Sequence, residues 1–276
     1  MRFKLLVRKF LYIILRNRLF YFIEKREMNI TENIGKLSIT YSPWTDIGLS
    51  LYLKNKFEQD EMSMMESLLK DGSVVLDVGA NIGYLSLLFS QNNKVKTVLS
   101  IEPSPQTFRT LLKNIHGHNN ILALNVGFSE TNGLVDFFIA VDNAYSGLKD
   151  TKRKEIIDIV KVPVFKGDDY LKLLNIEKID FIKMDVEGFE HSALKGLEET
   201  IIRNKPAMHI EIYSGKNSNL NPEETIKYVV QLGYDAYILK DGKLQPYSCH
   251  DDKYYSYFFT PKAILFICSI FLWLFH

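Results

Sequence analysis

The chain has 276 residues, 46% of them hydrophobic and 24% charged, which is typical of a soluble globular protein and excludes a disordered or fibrous one. Lysine and arginine residues number 34 against 33 aspartate and glutamate residues, so the net charge of +1 gives no basis for binding a nucleic acid. The two cysteines, Cys249 and Cys268, belong to no metal-binding or disulfide pattern, so we expect a cytoplasmic protein in a reducing compartment.

The N-terminal segment, residues 1–37, is basic and aromatic. Within residues 1–30, basic side chains outnumber acidic ones by eight to two, and the apolar run FLYIIL is followed closely by Arg16 and Arg18, which does not fit a secretory signal. The basic residues do not gather on one helical face. This segment is therefore predicted either to contact a membrane surface or a partner, or to be a solvated helix.

The C-terminal tail, residues 261–276, contains the apolar run ILFICSIFLWLF. Twelve helical residues cover about 18 Å, which is short of the roughly 30 Å hydrocarbon core of a bilayer. We therefore expect a tail that either dips into a membrane or packs on the fold. The first option, combined with the basic N-terminal segment, predicts peripheral association with the inner face of the membrane.

Between these ends, residues 38–260 alternate strand-like and helix-like segments. A loop and a helical lead-in are predicted over residues 31–70. The segments that follow, in chain order, are the strand SVVLDVG, the helix YLSLLFSQ, the strand VKTVLSIEP, the helix SPQTFRTLLKNIHGH, the strands NILALNVG, LVDFFIA, DIVKVPVF and KIDFIKMDVEG, the helix EHSALKGLEETIIRN, the strand PAMHIEIY, the helix PEETIKYVVQLGY, and the strands DAYILK and YYSYFFT. This alternation predicts an α/β fold with a doubly wound, mostly parallel sheet.

The turn between the first of these strands and its helix reads DVGANIG. In doubly wound sheets, ligands bind at the carboxyl ends of the strands, where such a turn presents free backbone N–H groups. Gly79 and Gly83 are spaced as Gly-x-x-x-Gly, unlike the Gly-x-Gly-x-x-Gly of a pyrophosphate site, and the Asp77 carboxylate would repel phosphates. Asp77 suits a ligand that is positively charged at this point, as the amino group and sulfonium of S-adenosylmethionine are.

Glu102 stands at the carboxyl end of the second strand, twenty-five residues after Asp77. A carboxylate there can accept both ribose hydroxyls of an adenosine, which fits NAD as well as S-adenosylmethionine. Two alternatives to a methyltransferase therefore stay open: a nicotinamide-dependent oxidoreductase, and a catalytically inactive module that binds S-adenosylmethionine. Against the oxidoreductase, no third glycine follows at dinucleotide spacing.

Three segments together resemble the FkbM family of methyltransferases: VLDVGANIGYLSLLF, IEPSPQTFRTLLKNI and IKMDVEGFEHSALKG, the last of which is similar to the family's Asp-Val-Glu-Gly signature. The resemblance covers roughly residues 40–240. It implies a class I, S-adenosylmethionine-dependent methyltransferase with a seven-stranded sheet and a reversed C-terminal hairpin. The expected reaction is O-methylation of a hydroxyl group on a sugar, glycan or small metabolite.

The resemblance also assigns residues to the cofactor. It implies that the methionine part is surrounded by Asp77, Gly79, Asn81 and Gly83. It also implies that Glu102 holds the ribose and that Asn125 and Val126 lie near the adenine. Glu58, in the helical lead-in, is expected to close over the site.

Methyl transfer to an unactivated hydroxyl requires a positioned acceptor oxygen and a base for its proton. The candidates are Asp185, Glu187 and His191 in the signature, and we take Asp185 and Glu187 as the working pair. Asp185 can instead bind the cofactor's amino group, and a lone histidine such as His191 beside a helix start is more often structural. Asp185 and Glu211, on adjacent strand ends, are a further option for holding a divalent cation, but two carboxylates are too few to predict a metal site.

Overall fold

The computed structural model describes residues 29–213 and 221–262, and it confirms the alternation of strands and helices. The strands in these ranges are β1 (Ile30–Ile34), β2 (Leu37–Tyr41), β3 (Ser73–Val78), β4 (Val95–Ile101), β5 (Ile121–Leu124), β6 (Gly127–Ser129), β7 (Gly133–Ala140), β8 (Ile156–Lys166), β9 (Phe181–Met184), β10 (Ala207–Glu211), β11 (Tyr234–Lys240), β12 (Lys243–Pro246) and β13 (Ser256–Pro261). The α-helices are α1 (Asp46–Lys54), α2 (Gln59–Leu68), α3 (Tyr84–Gln91), α4 (Pro105–Asn114), α5 (Gly167–Leu173), α6 (Glu190–Gly196), α7 (Glu198–Asn204) and α8 (Pro222–Gln231).

The central sheet has the strand order β12-β11-β13-β10-β9-β3-β4-β5. The strands from β10 to β5 in this order run parallel, while β13 runs antiparallel to both of its neighbours, β10 and β11. Two large clusters of buried apolar side chains pack against the sheet. The prediction of a doubly wound, mostly parallel sheet with a reversed C-terminal hairpin is therefore confirmed.

The sheet has eight strands where seven were expected, because β12 is added at its edge. β12 pairs antiparallel with β11, and Lys240 lies opposite Lys243 at the end of the hairpin. The two turn residues between them, Asp241 and Gly242, both have positive φ angles, of 50° and 71°. Asp-Gly is a sequence that two-residue hairpin turns of this kind prefer, so the signal for β12 was present in the chain.

A separate three-stranded sheet, in the order β6-β8-β7, lies between β5 and β9 in the chain. The strands predicted for LVDFFIA and DIVKVPVF are confirmed as β7 and β8, which pair antiparallel with each other. Phe137, Ile139 and Val162 form a small buried core on this sheet. The segment that joins β7 to β8, residues 141–155, reaches the site described below.

The lead-in before β3 is more regular than predicted. The loop expected from residue 31 onward is wrong at its start, because β1 and β2 form an antiparallel hairpin with Gly35 at its turn. Ile39 and Tyr41 of this hairpin are fully buried, and this burial of apolar surface stabilises a hairpin where a loop was predicted. The helical part of the lead-in is confirmed as α1 and α2. The hairpin spans the predicted boundary at residues 37 and 38, and the division of the chain into three segments stays a prediction.

The register of the central strands determines where the site forms. Val78 of β3 pairs with Ile101 of β4 on one side and with Met184 of β9 on the other, and Met184 pairs in turn with Ile210 of β10. Because these strands are parallel and end at the same level, the turns that follow them meet at one edge of the sheet.

Most of both terminal segments, and with them the predicted contact with a membrane, lie outside the described residues. Among residues 29–213 and 221–262, no helix combines the length and the apolar character that crossing a bilayer requires.

Candidate active site

A cavity of about 260 Å³ lies at the carboxyl ends of β3, β9 and β10. Carboxylates predominate in its wall, where seven acidic side chains face two cationic ones: Asp46, Glu58, Asp77, Asp185, Glu187, Glu190 and Glu211 against Arg153 and Lys183. Five aromatic side chains complete the wall: Phe57, Tyr84, Tyr145, Tyr213 and Tyr255. The excess of carboxylates favours a ligand that carries positive charge.

The cavity collects about half of the residues predicted from sequence. Those in its wall are Glu58, Asp77, Gly79, Asn81, Asp185 and Glu187, while Gly83, Glu102, Asn125, Val126 and His191 lie outside it. The roles assigned to all of them stay predictions.

Asp77, on β3, is fully buried at the base of the cavity. Its Oδ2 accepts a hydrogen bond of 2.5 Å from Ser86 Oγ, which in turn accepts one of 2.7 Å from Ser100 Oγ. Its Oδ1 is buried and has no hydrogen-bond partner among the described residues. Burial raises the pKa of Asp77, although Lys183 and the bond from Ser86 oppose the shift. Buried acceptors are rarely left without a partner, so Oδ1 is suited to accept a donor from a ligand.

The glycine turn after β3 packs tightly against the turn after β9. Gly79 has a φ of +82°, and a Cβ atom on it would lie 1.8 Å from the carbonyl oxygen of Asp185. Only glycine therefore fits at this position. Gly83, with a φ of +83°, precedes α3 and allows the chain to enter that helix. The two glycines of the motif shape the backbone beside the cavity.

Glu102 holds the loop after β4 in place. Its two carboxylate oxygens accept backbone N–H groups from Asn81 at 2.9 Å and from Ser104 at 2.8 Å. Burial raises its pKa to about 7, against the opposing effect of these two bonds. Asn125 supports the same loop, because its Nδ2 donates to the carbonyl oxygens of Glu102 and Pro103 at 2.8 and 3.0 Å.

Two further predicted site residues, Asn81 and Val126, have different surroundings. The Oδ1 of Asn81 accepts a hydrogen bond of 2.8 Å from Asn143 Nδ2, which links the glycine turn to the segment that joins β7 to β8. Val126 is buried in the apolar core on one side of the sheet. The residues predicted for the ribose and the adenine, Glu102, Asn125 and Val126, thus do not line this cavity.

Lys183 is a site residue that the sequence analysis missed. It lies on β9, is 4% exposed, and its Nζ is 3.5 Å from the carbonyl oxygen of Gly79 and 3.7 Å from Oδ2 of Asp185. Burial alone would lower the pKa of Lys183, but surrounding carboxylates, with Asp185 and Asp77 foremost, raise it above its ordinary value. The signal was a lysine inside the apolar strand FIKM, where an unpaired charge would be costly.

Glu58 and Glu211 interact electrostatically with Lys183 and Asp185. Glu58 directly precedes α2, and burial raises its pKa to about 8, with Lys183 opposing the shift. Burial also raises the pKa of Glu211 well above its usual value, and Asp185 adds to the shift. No group of three His, Cys, Asp or Glu side chains with the arrangement of a metal site occurs in the described ranges. The described residues therefore supply no third ligand for a cation held by Asp185 and Glu211.

Glu187 is paired with Arg153, another residue that sequence reasoning missed. Nη1 of Arg153 donates to Oε2 of Glu187 at 2.7 Å, and the two side chains are only 23% and 13% exposed. Burial raises the pKa of Glu187 to about 8, the Asp185 carboxylate adds to the shift, and Arg153 opposes it. The guanidinium carbon of Arg153 lies 4.3 Å from the ring centre of Tyr145 and 4.4 Å from that of Tyr213.

Glu190 and His191, adjacent in sequence, face different surroundings. Oε1 of Glu190 accepts backbone N–H groups from Gly188 at 3.0 Å and Val186 at 3.3 Å, so Glu190 stabilises the turn before α6. His191 lies against Tyr228 of α8, with ring centres 5.2 Å apart. The structure therefore does not bring His191 to the cavity.

Comparison with known proteins identifies relatives of the chain. The family model described as "Methyltransferase FkbM domain" matches residues 77–236. Hexuronic acid methyltransferase AglP of Haloferax volcanii is 24% identical over 184 residues, which are 66% of this chain and 72% of that protein. 2-O-methyltransferase NoeI of Sinorhizobium fredii is 25% identical over 169 residues, 54% of this chain and 66% of that protein. The crystal structure of Methyltransferase FkbM from Methylobacillus flagellatus KT is 20% identical with a TM-score of 0.45, covering 76% of this chain and 52% of that one.

Proposed function

Because the chain belongs to the FkbM methyltransferase family, we propose that it transfers a methyl group from S-adenosylmethionine to a hydroxyl group of a sugar, glycan or small metabolite. Two relatives are described as acting on a hexuronic acid and as a 2-O-methyltransferase, which supports a sugar hydroxyl as the acceptor. The observation that carries the proposal is the buried Oδ1 of Asp77, a residue of the acidic cavity wall, because this oxygen lacks a partner among the described residues.

The residues around the cavity fit the charge of this cofactor. S-adenosylmethionine supplies a methyl group on a positively charged sulfur, and it also carries an amino group. Asp77 offers an acceptor for that amino group, and Asp185 offers a second carboxylate close by. The turn after β3, with Gly79 and Gly83, has the spacing Gly-x-x-x-Gly, unlike the Gly-x-Gly-x-x-Gly of the pyrophosphate site that a dinucleotide such as NAD requires. This supports the methyltransferase over the oxidoreductase.

We assign the removal of the acceptor hydroxyl's proton to Glu187. It lines the cavity, and burial raises its pKa to about 8, so it exchanges protons near neutral pH, as an effective general base does. Asp185 lies beside Lys183 and is positioned by it. In this arrangement Asp185 balances the positive charge in the cavity while Glu187 accepts the proton.

The cofactor is tested by calorimetry with S-adenosylhomocysteine and with NAD. We expect the first to bind and the second to bind weakly or not at all. Tighter binding of NAD would exclude the methyltransferase function. The reaction is tested by mass spectrometry of hydroxylated acceptors incubated with labelled S-adenosylmethionine. Binding of S-adenosylhomocysteine without transfer to any acceptor would favour the inactive binding module.

A further inference from the structure

Arg153 differs from the other charged residues of the cavity. Of the two cationic side chains in the wall, Lys183 is buried among carboxylates, whereas Arg153 is 23% exposed. Arg153 is therefore the more accessible of the two to a negatively charged group in the cavity. The segment that carries Arg153 joins β7 to β8 and also contributes Ala144 and Tyr145 to the cavity wall.

The guanidinium of Arg153 is held in place, but not all of its N–H donors are used by the described residues. The rings of Tyr145 and Tyr213 lie against it at 4.3 and 4.4 Å, and Nη1 donates to Glu187. That bond is the one hydrogen bond that Arg153 makes within residues 29–213 and 221–262. Because an arginine has five N–H donors in a rigid fork, further donors remain for a second acceptor. The shape of a carboxylate matches this fork.

We propose that Arg153 binds a carboxylate of the acceptor and thereby selects an acidic sugar over its neutral counterpart. This inference rests on the proposed function, since it concerns the acceptor of the same reaction. The neighbouring aromatic side chains, Tyr145, Tyr213 and Tyr255, supply the apolar wall that small-molecule sites combine with a few charged groups. A carboxylate that shares Arg153 also weakens its hold on Glu187, which frees Glu187 to accept the proton of the hydroxyl.

The inference is tested with matched pairs of acceptors: the methyl glycosides of glucuronic and galacturonic acid against those of glucose and galactose. We expect the acidic member of at least one pair to be methylated with a kcat/KM about 10- to 100-fold higher, the contribution of a charge-assisted hydrogen bond. Arg153→Gln should remove this preference, and Arg153→Lys, which keeps the charge without the fork, should retain part of it. Lys154→Gln removes a neighbouring positive charge that also lies over Tyr145, so it is the matched control and should keep the full preference.

The affinity for S-adenosylhomocysteine is measured on every variant. It should stay unchanged in Arg153→Gln. A large loss of that affinity, with the acidic preference intact, would mean that Arg153 binds the carboxylate of the cofactor and would overturn the inference. Equal transfer to acidic and neutral acceptors by the unmodified protein would also overturn it, while leaving the proposed function in place. No transfer to any of the four acceptors, despite bound S-adenosylhomocysteine, would overturn the inference and count against sugar methylation.

Discussion

Nζ of Lys183 lies 3.7 Å from Oδ2 of Asp185, and the lysine side chain is only 5% exposed. A buried charge of this kind is stabilised by its partners, and its removal leaves the surrounding carboxylates uncompensated. Lys183→Met should therefore lower the free energy of unfolding by about 3 to 5 kcal/mol, as measured by urea denaturation. Lys178→Met is the control, because Lys178 pairs with Asp180 at 2.7 Å but is 69% exposed. That change should cost about 1 kcal/mol or less, and an equal loss in both variants would contradict the stabilising role of Lys183.

Asp77→Asn should weaken binding of S-adenosylhomocysteine by about 10- to 100-fold, because one charge-assisted hydrogen bond to the cofactor's amino group is lost. Calorimetry measures the affinity, and the melting temperature is recorded beside it. Asp168→Asn is the matched control. Asp168 is also buried and accepts two backbone N–H groups, both at 2.9 Å, but it lies outside the cavity. It should lose stability and keep its affinity. Unchanged affinity in Asp77→Asn would remove that residue from cofactor binding.

Gly79→Ala tests the contact between the two turns. The new Cβ would lie 1.8 Å from a backbone oxygen of Asp185 at a φ of +82°. Gly72→Ala is the control, because Gly72 has a φ of +78° but no atom within 4 Å of the added Cβ. The control should lose about 1 to 2 kcal/mol from the left-handed backbone alone, and Gly79→Ala should lose about 1 to 3 kcal/mol more from overpacking. Equal losses in denaturant unfolding would show that the turns can separate freely.

Most of the predicted site residues that line the cavity have a common origin. Asp77, Gly79, Asp185 and Glu187 lie at or just after the ends of parallel strands, and parallel strands bring these positions to one edge. Arg153 was missed because it comes from the segment between β7 and β8. Its position depends on how the second sheet packs, which no local sequence pattern encodes.

His191, another predicted site residue, does not line the cavity, and the reason is different. It follows Glu190 directly, and adjacent residues on an α-helix are rotated by about 100° about its axis. With Glu190 facing the cavity, His191 is turned away from it and contacts Tyr228 of α8. The start of α6 could be read from the sequence, but its rotation about its own axis could not. The fold itself was more predictable, since the pattern of apolar segments fixed all strands of the central sheet except β12.

The stability of the protein without cofactor should depend on pH because of Glu102. Burial raises its pKa from 4.5 to about 7, so between these values the folded protein holds a proton that the unfolded chain releases. The free energy of unfolding should therefore fall as the pH rises from about 5 to 7. Denaturant unfolding at several pH values measures this slope, and Glu102→Gln should make it shallower. Glu199→Gln is the control: an ion pair with Lys172 lowers the pKa of Glu199, so its titration ends below this range. An identical slope in Glu102→Gln would contradict the assignment.

Glu187→Gln separates catalysis from binding. As the proposed base, Glu187 acts on the acceptor proton, so the variant should bind S-adenosylhomocysteine almost normally while its single-turnover rate falls by about 100- to 10,000-fold. In the unmodified protein the rate should rise as the pH approaches and passes about 8, because burial raises the pKa of Glu187 to that value and the carboxylate form accepts the proton. The variant should lack this rise.

Glu190→Gln provides the comparison for a purely structural role. Glu190 secures the turn through the backbone N–H groups of Gly188 and Val186, so its replacement should lower the melting temperature and the cofactor affinity together. If Glu187→Gln behaves in the same way, Glu187 supports the turn and does not act as the base. If Glu187→Gln is saturated with cofactor and fully active, the proton must go to another group. Asp185, which lines the same cavity and has a side chain that is 32% exposed, is then the next residue to replace.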